Sequence, residues 1–171
     1  MSQDAQERYQ KLLAQLGQLS SAQPGQALTN LDKLLSQRPR DPNFLHLKGL
    51  ALASLGRQRE AVDAMRASLK VHAAQPELHN NLGNSYQALA DGERAEHHYR
   101  QALSLRPDYV DALKNLALLL LAWAEFGAAE DCLQKALALA PQNASLLTAL
   151  GNVHREQESY PEAIRCYRAA L

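Results

Sequence analysis

Valine, isoleucine and threonine together supply only seven of the 171 residues, and phenylalanine and tryptophan add three more. A sheet draws on β-branched and aromatic side chains to fill its pleated surface, so this scarcity excludes sandwiches, barrels and doubly wound folds. Charge of one sign is also missing, because 18 basic residues are matched by 18 acidic ones and the formal net charge is zero. Such a chain offers no basic stripe to nucleic acid and no general attraction to an anionic membrane surface. No apolar run approaches the ~18 residues that cross a bilayer; the longest, Leu116 to Ala124, stops far short. The polar, mixed-charge start from Met1 to Gln10 is unlike a secretory leader. Two cysteines, Cys132 and Cys166, are too few for a disulfide framework, and the expectation is reduced thiols in the cytoplasm.

What the chain has in quantity is leucine and alanine, 32 and 29 residues. Both lose little on entering a helix, so the expected class is all-α. The residues also repeat. Small side chains stand at Gly49, Gly83, Ala117 and Gly151, each step being 34 residues, and again at Ala61, Ala95, Ala129 and Ala163. Leu82, Leu116 and Leu150 form a third column, with Lys48 as its exception, and Met65, Tyr99, Leu133 and Tyr167 a bulky fourth. Pro39, Pro107 and Pro141 mark the joints; Ala73 takes the missing place, with Pro76 just beyond it. Within each unit a helical apolar period runs twice, interrupted by Gly56, by Asp91 and Gly92, by Gly127, and by Ser159 with Pro161. Each unit therefore reads as a helix hairpin. Its small columns permit close approach of the two helices, and the bulky column fills the space beside them.

These columns and the joint proline resemble the tetratricopeptide repeat, whose unit is 34 residues long. The clearest stretch runs from Asn81-Leu82-Gly83-Asn84-Ser85-Tyr86 through Ala95, Tyr99 and Ala102 to Pro107. The resemblance implies a right-handed α-solenoid of antiparallel helix hairpins in one domain. Residues 4–41 are a degenerate repeat, 42–75, 76–109 and 110–143 are full repeats, and 144–171 is truncated. In the first unit Ala27, Leu31, Leu34 and Pro39 fit a second helix, while Gln15 stands where a small residue belongs; its first helix is expected near Asp4 to Leu19. No polar helix follows the last repeat, which solenoids normally need for solubility. The expectation is a fragment of a longer protein, or else a final helix covered by a partner or a second copy.

The resemblance also implies a function: the first helix of each hairpin lines a concave groove that binds an extended peptide or protein segment. Carried over column by column, the groove residues are Asn43, His46, Leu47 and Leu50; Glu77, Asn80, Asn81, Asn84 and Gln87; Asp111, Lys114, Asn115, Leu118 and Leu121; and Ser145, Thr148, Asn152 and Arg155. Asn81 and Asn115 are 34 apart, as are Asn80 and Lys114, so neighbouring repeats would present a ladder of side chains. An Asn amide both donates and accepts and so can hold a partner's main chain with little regard to its sequence. Similar asparagine ladders line the superhelices of O-linked GlcNAc transferases. Family members that bind chaperone tails use a clamp of lysines, asparagines and an arginine. Here Asn84 and Asn115 match its asparagines, but Asn80, Ser145 and Ala149 stand at its cationic positions, so chaperone docking is not expected. Lys114 and Arg155 would favour an acidic ligand, and Glu77 and Asp111 oppose it. The run Leu118-Leu119-Leu120-Leu121 points all round a helix and cannot face one core.

Catalysis is not expected of this segment. His97 and His98 are adjacent and diverge by about 100° on a helix, and neither His72 nor His79 supplies a second ligand at metal-binding spacing. Cys132 and Cys166 repeat at 34 and fit helix packing better than a redox pair. No Gly-rich phosphate loop, nucleophile elbow or paired-Cys zinc motif is present, and no cofactor or metal is implied. The function expected is a protein-interaction module with a protein or peptide partner and neither nucleic acid nor membrane. Two alternatives stand beside it. One is the N-terminal region of a longer bacterial enzyme of glycosyltransferase, sulfotransferase or oxygenase type. The other is a scaffold that self-associates through the uncapped C-terminal helix.

Overall fold

A computed structural model describes residues 3–171. Among them lie ten helices and no strand, as the leucine and alanine content requires: α1 (Gln3–Ala22), α2 (Pro24–Gln37), α3 (Pro42–Ser54), α4 (Gln58–Val71), α5 (Pro76–Ala88), α6 (Gly92–Leu105), α7 (Val110–Ala122), α8 (Phe126–Leu139), α9 (Ala144–Glu156) and α10 (Tyr160–Ala169). The joint prolines set the ends of the second helices. α2, α6 and α8 each stop two residues before Pro39, Pro107 and Pro141, because the residue ahead of a proline is pushed out of the helical region. The carboxylate of Asp41 caps α3 by accepting from the amides of Asn43 and Phe44 at 3.1 and 3.2 Å. Asn143 does the same for α9 through Ser145 and Leu146, at 3.0 and 3.2 Å.

The chain forms two compact units, residues 1–91 and residues 92–171. In the first, α1 packs on α2 and α3, and α3 packs on α4, which meets α5. Its core gathers Leu16, Ala27, Leu31, Phe44 and Ala51, with Tyr9, Leu12, Leu34 and Leu47 against them. In the second, α7 packs on α8 and α9, and α9 on α10, around Tyr99, Leu116, Leu120, Leu133, Leu146 and Val153.

Both small columns are buried throughout. Their reason is steric: a Cβ added to Gly49 would lie 2.5 Å from Met65 Cγ, and one added to Gly151 would lie 2.5 Å from Tyr167 Cε1. In these two hairpins the bulky residue thus presses on the glycine of the same hairpin. Lys48, the exception among the leucines, reaches back to Asp32 at 2.7 Å. In the first unit α1 covers the expected helix, and Gln15, too large for the crossing, is turned out to solvent.

The hairpin turns differ from the sequence reading. Gly56 does adopt a left-handed conformation, with φ of 75°. In the other repeats, however, the left-handed residues are Ala90, Ala124 and Glu158, at φ of 58°, 60° and 61°, and not the turn formers Gly92, Gly127 and Ser159 beside them. The four positions are again 34 apart. Each is held by the same closure of the preceding helix, in which the next amide bonds five residues back: Arg57 to Leu52 at 2.9 Å, Asp91 to Tyr86 at 2.9 Å, Glu125 to Leu120 at 2.9 Å and Ser159 to His154 at 2.8 Å. This is a Schellman closure, and its geometry imposes the positive φ on whichever residue stands there.

Candidate peptide-binding groove

The first helices of the repeats carry the expected groove columns on faces that stay at least partly open, with one departure. Asn80 was expected to face a ligand but is buried, with only 5% of its surface exposed, so it is a core polar group. Asn84 and Gln87 are exposed and Asn115 half-buried.

In the first unit the columns of adjacent repeats meet directly. Asn81 Nδ2 on α5 lies 3.0 Å from His46 Nε2 on α3. Part of the Asn81 amide is therefore engaged by the neighbouring repeat and not offered to a ligand. Burial pushes the His46 imidazole below its usual pKa, with Glu77 pulling weakly the other way. One repeat earlier Asn43 Nδ2 donates to the Tyr9 hydroxyl at 3.0 Å, and that hydroxyl donates in turn to the Asp41 carboxylate at 2.8 Å. Tyr9 thus occupies the groove column of the degenerate repeat, a residue the sequence reading missed although it stands 34 positions before Asn43.

In the second unit the columns converge on a cleft of about 370 Å³, lined by Lys114 and Leu118 of α7 and by Ser145, Thr148, Ala149 and Asn152 of α9. Tyr167 donates its hydroxyl to Asn152 Oδ1 at 2.8 Å, which engages the amide oxygen of this cleft residue. Thr148 spends its hydroxyl hydrogen on the Ala144 carbonyl at 2.8 Å. Lys114 makes no ion pair among the described residues. Arg155, expected as a second cation, is instead paired with Glu156 at 2.7 Å, which raises its pKa and compensates its charge. Of the leucine run, Leu119 and Leu120 are buried, Leu121 is half-buried and Leu118 is 38% exposed, so one member does meet solvent beside the cleft.

Two family models described as tetratricopeptide repeat match the chain, one over residues 74–142 and the other over residues 16–77 and 124–171. The chain belongs to the tetratricopeptide repeat family. Its fold is that family's α-solenoid, and solved structures agree. MamA of Desulfovibrio magneticus is 22% identical with a TM-score of 0.82, covering 94% of this chain and 92% of that one. Pseudomonas aeruginosa PilF is 19% identical with a TM-score of 0.85, covering 97% and 77%. A thermophilic tetratricopeptide repeat protein of Thermus thermophilus is 23% identical with a TM-score of 0.75, covering 94% and 87%. No curated protein matches in sequence.

Among the described residues no three His, Cys, Asp or Glu side chains come together as a metal site. Burial pushes the thiols of Cys132 and Cys166 upward in pKa, which makes each a poorer nucleophile. No described helix is long and apolar enough to cross a membrane.

Proposed function

We propose that this chain is a protein-interaction module that holds an extended partner segment in the groove carried by its first helices, with the α7–α9 cleft as the principal contact. The observation that supports this reading is the convergence of Lys114 and Leu118 from one repeat with Ser145, Thr148 and Asn152 from the next on a single cleft. The Lys114 ammonium and the Asn152 NH2 are donors, suited to main-chain carbonyls or a carboxylate of the partner. Leu118 supplies an apolar floor on which a side chain can lose water. Within the second unit Asn115 and Leu121 extend the candidate surface along α7, and within the first unit Asn81, Asn84 and Gln87 form the candidate surface of α5. Compensation of Arg155 leaves Lys114 as the cation of this cleft, so a partner with an acidic residue opposite Lys114 gains most.

The test is selection of peptides from a random displayed library on the intact protein, followed by affinity measurement on variants. Lys114→Ala with Asn152→Ala should weaken the selected peptides about tenfold or more, with helicity unchanged by circular dichroism. Undiminished binding by that double variant overturns the assignment. A second reading, self-association, draws on α10, where Tyr160 and Ile164 are 57% and 48% exposed. A mass by light scattering that stays monomeric over a wide range of concentration overturns it.

A further inference from the structure

The degenerate first repeat carries a cleft of its own, at the start of α1 and the end of α2, with a volume of about 450 Å³. Its walls include Leu12, Leu34 and Phe44. The Tyr9 ring stands among them, 5.8 Å from Phe44 by ring centroids, with the Arg38 guanidinium over it at 5.9 Å from the ring centre. Arg38 also borders, with Pro39, Arg40 and Asp41, a shallower depression on the loop that follows α2. The cleft is thus mixed in lining, with Leu12, Leu34 and the Tyr9 ring beside Asp4, Arg8, Gln37 and Arg38.

Asp4, Arg8, Arg38, Arg40 and Asp41 leave this rim with one excess positive charge, and the two acids are already hydrogen-bonded. Asp4 is taken by Arg8, which grips both carboxylate oxygens at 2.6 and 3.2 Å. Asp41 is taken by the Tyr9 hydroxyl and by two capping amides. Arg38 and Arg40 are left with no carboxylate in ion-pair reach among the described residues. Arg38 at the cleft and Arg40 on the adjoining loop, beside the apolar side chains of Leu12 and Leu34, complement an acidic residue next to a large apolar one, since each guanidinium can take a carboxylate through two parallel hydrogen bonds.

We propose that this α1–α2 cleft is a second peptide site, in which a large apolar side chain enters against Leu12, Leu34 and Phe44 while neighbouring carboxylates of the same segment bind Arg38 and Arg40. The occupant is an acidic segment of a partner protein. The site is independent of the α7–α9 cleft and stands or falls separately from it.

The probe is a fluorescein-labelled peptide with one phenylalanine followed by three aspartates, titrated into the intact protein up to about 1 mM, the weak limit of specific recognition. Three controls accompany it: the same peptide with asparagines for aspartates, the same peptide with alanine for phenylalanine, and the acidic peptide in high salt. Saturable binding of the acidic aromatic peptide is expected, weakened about tenfold by Arg38→Glu with Arg40→Glu and weakened by each control. Backbone amide signals of Ala5, Leu12 and Leu34 should shift during the titration, and Lys114→Ala with Asn152→Ala should leave the affinity unchanged. Arg38→Gln with Arg40→Gln repeats the test without charge reversal, and circular dichroism checks the fold of both variants. Absence of binding, equal binding of the asparagine peptide, or wild-type affinity in the arginine variants overturns the proposal. So does a concentration-dependent dimer that the same arginine variants dissolve, since the cleft would then serve a second copy of the chain.

Discussion

Asn81 and His46 form a rung between adjacent repeats, with the Asn81 amide nitrogen 3.0 Å from His46 Nε2. With Asn81 donating, Nε2 must be unprotonated and the imidazole carries its hydrogen on Nδ1. Protonation of Nε2 sets two donors against each other, in a site whose burial already disfavours the charged ring. The rung that ties α5 to α3 is therefore built for neutral histidine.

Stability should depend on pH through this residue. His46 has its pKa lowered in the folded chain, so just below the ordinary histidine value of about 6.5 the unfolded chain binds the proton more readily than the folded one. Stability from neutral His46 is then complete above that value and declines as pH falls through it towards the folded pKa. Urea titrations at pH 7.5 and 5.5 are expected to show a less stable protein at the lower pH. His46→Gln, which keeps a hydrogen-bonding side chain without the titration, should reduce that difference. An identical pH dependence in the variant would show that the rung is not the cause.

The left-handed turns predict opposite effects for one exchange at equivalent positions. Ala124 holds φ of 60°, where a Cβ costs, and Gly56 holds φ of 75°, where none is present. A non-glycine residue in this region costs roughly 1–2 kcal/mol, part of which glycine returns through the entropy of the unfolded chain. Ala124→Gly should stabilise by about 0.5 kcal/mol and Gly56→Ala destabilise by about 1 kcal/mol, read from paired denaturation curves. Destabilisation by both would contradict the shared closure.

Which features could be read from sequence follows from what each depends on. The small and bulky columns depend on helix pairs within a repeat and recur with it, so Gly49, Ala61 and Met65 announced their packing before any coordinates. The left-handed positions depend on where the preceding helix closes, which Ala90, Ala124 and Glu158 do not disclose by residue type. Amides at equal spacing look alike in sequence, yet Asn80 is buried, Asn81 meets His46 and Asn152 is fixed by Tyr167. Only the neighbouring helix separates those outcomes. The α1–α2 cleft stayed hidden for a different reason: Gln15 breaks the small column of the first repeat, and the meeting of Tyr9 with Arg38 depends on how α1 packs on α2 and not on the 34-residue step.

Overpacking gives the sharpest check on that register. Ala95 is fully buried on α6, and Ala95→Leu should cost about 1–3 kcal/mol by forcing the neighbouring side chains off their rotamers. Gly49→Ala should also destabilise, because its Cβ would lie 2.5 Å from Met65 Cγ and 3.3 Å from the Ala61 carbonyl oxygen. Met65 is unbranched and can move, whereas the Ala61 carbonyl is backbone and cannot retreat without moving α4. The Gly49 variant should therefore recover part of its loss when Met65 is also shortened to alanine. An unchanged melting temperature for Ala95→Leu would undo the assigned register.

Tyr167 joins the packing of the last hairpin to the chemistry of the cleft, because the ring that presses on Gly151 also sends its hydroxyl to Asn152 Oδ1. Tyr167→Phe keeps the ring and removes only that donor. The cost in stability should be small, about 1 kcal/mol or less, since Asn152 is half-buried and water can replace the hydroxyl. The effect on a bound peptide should be larger in proportion, because an amide without its anchor can rotate and present oxygen where the ligand needs NH2. Gly151→Ala should weaken the same peptide by displacing the ring, and should also lower the melting temperature. Comparing the two variants separates orientation from packing: peptide affinity that falls in Gly151→Ala but not in Tyr167→Phe would mean that the hydroxyl does not orient Asn152.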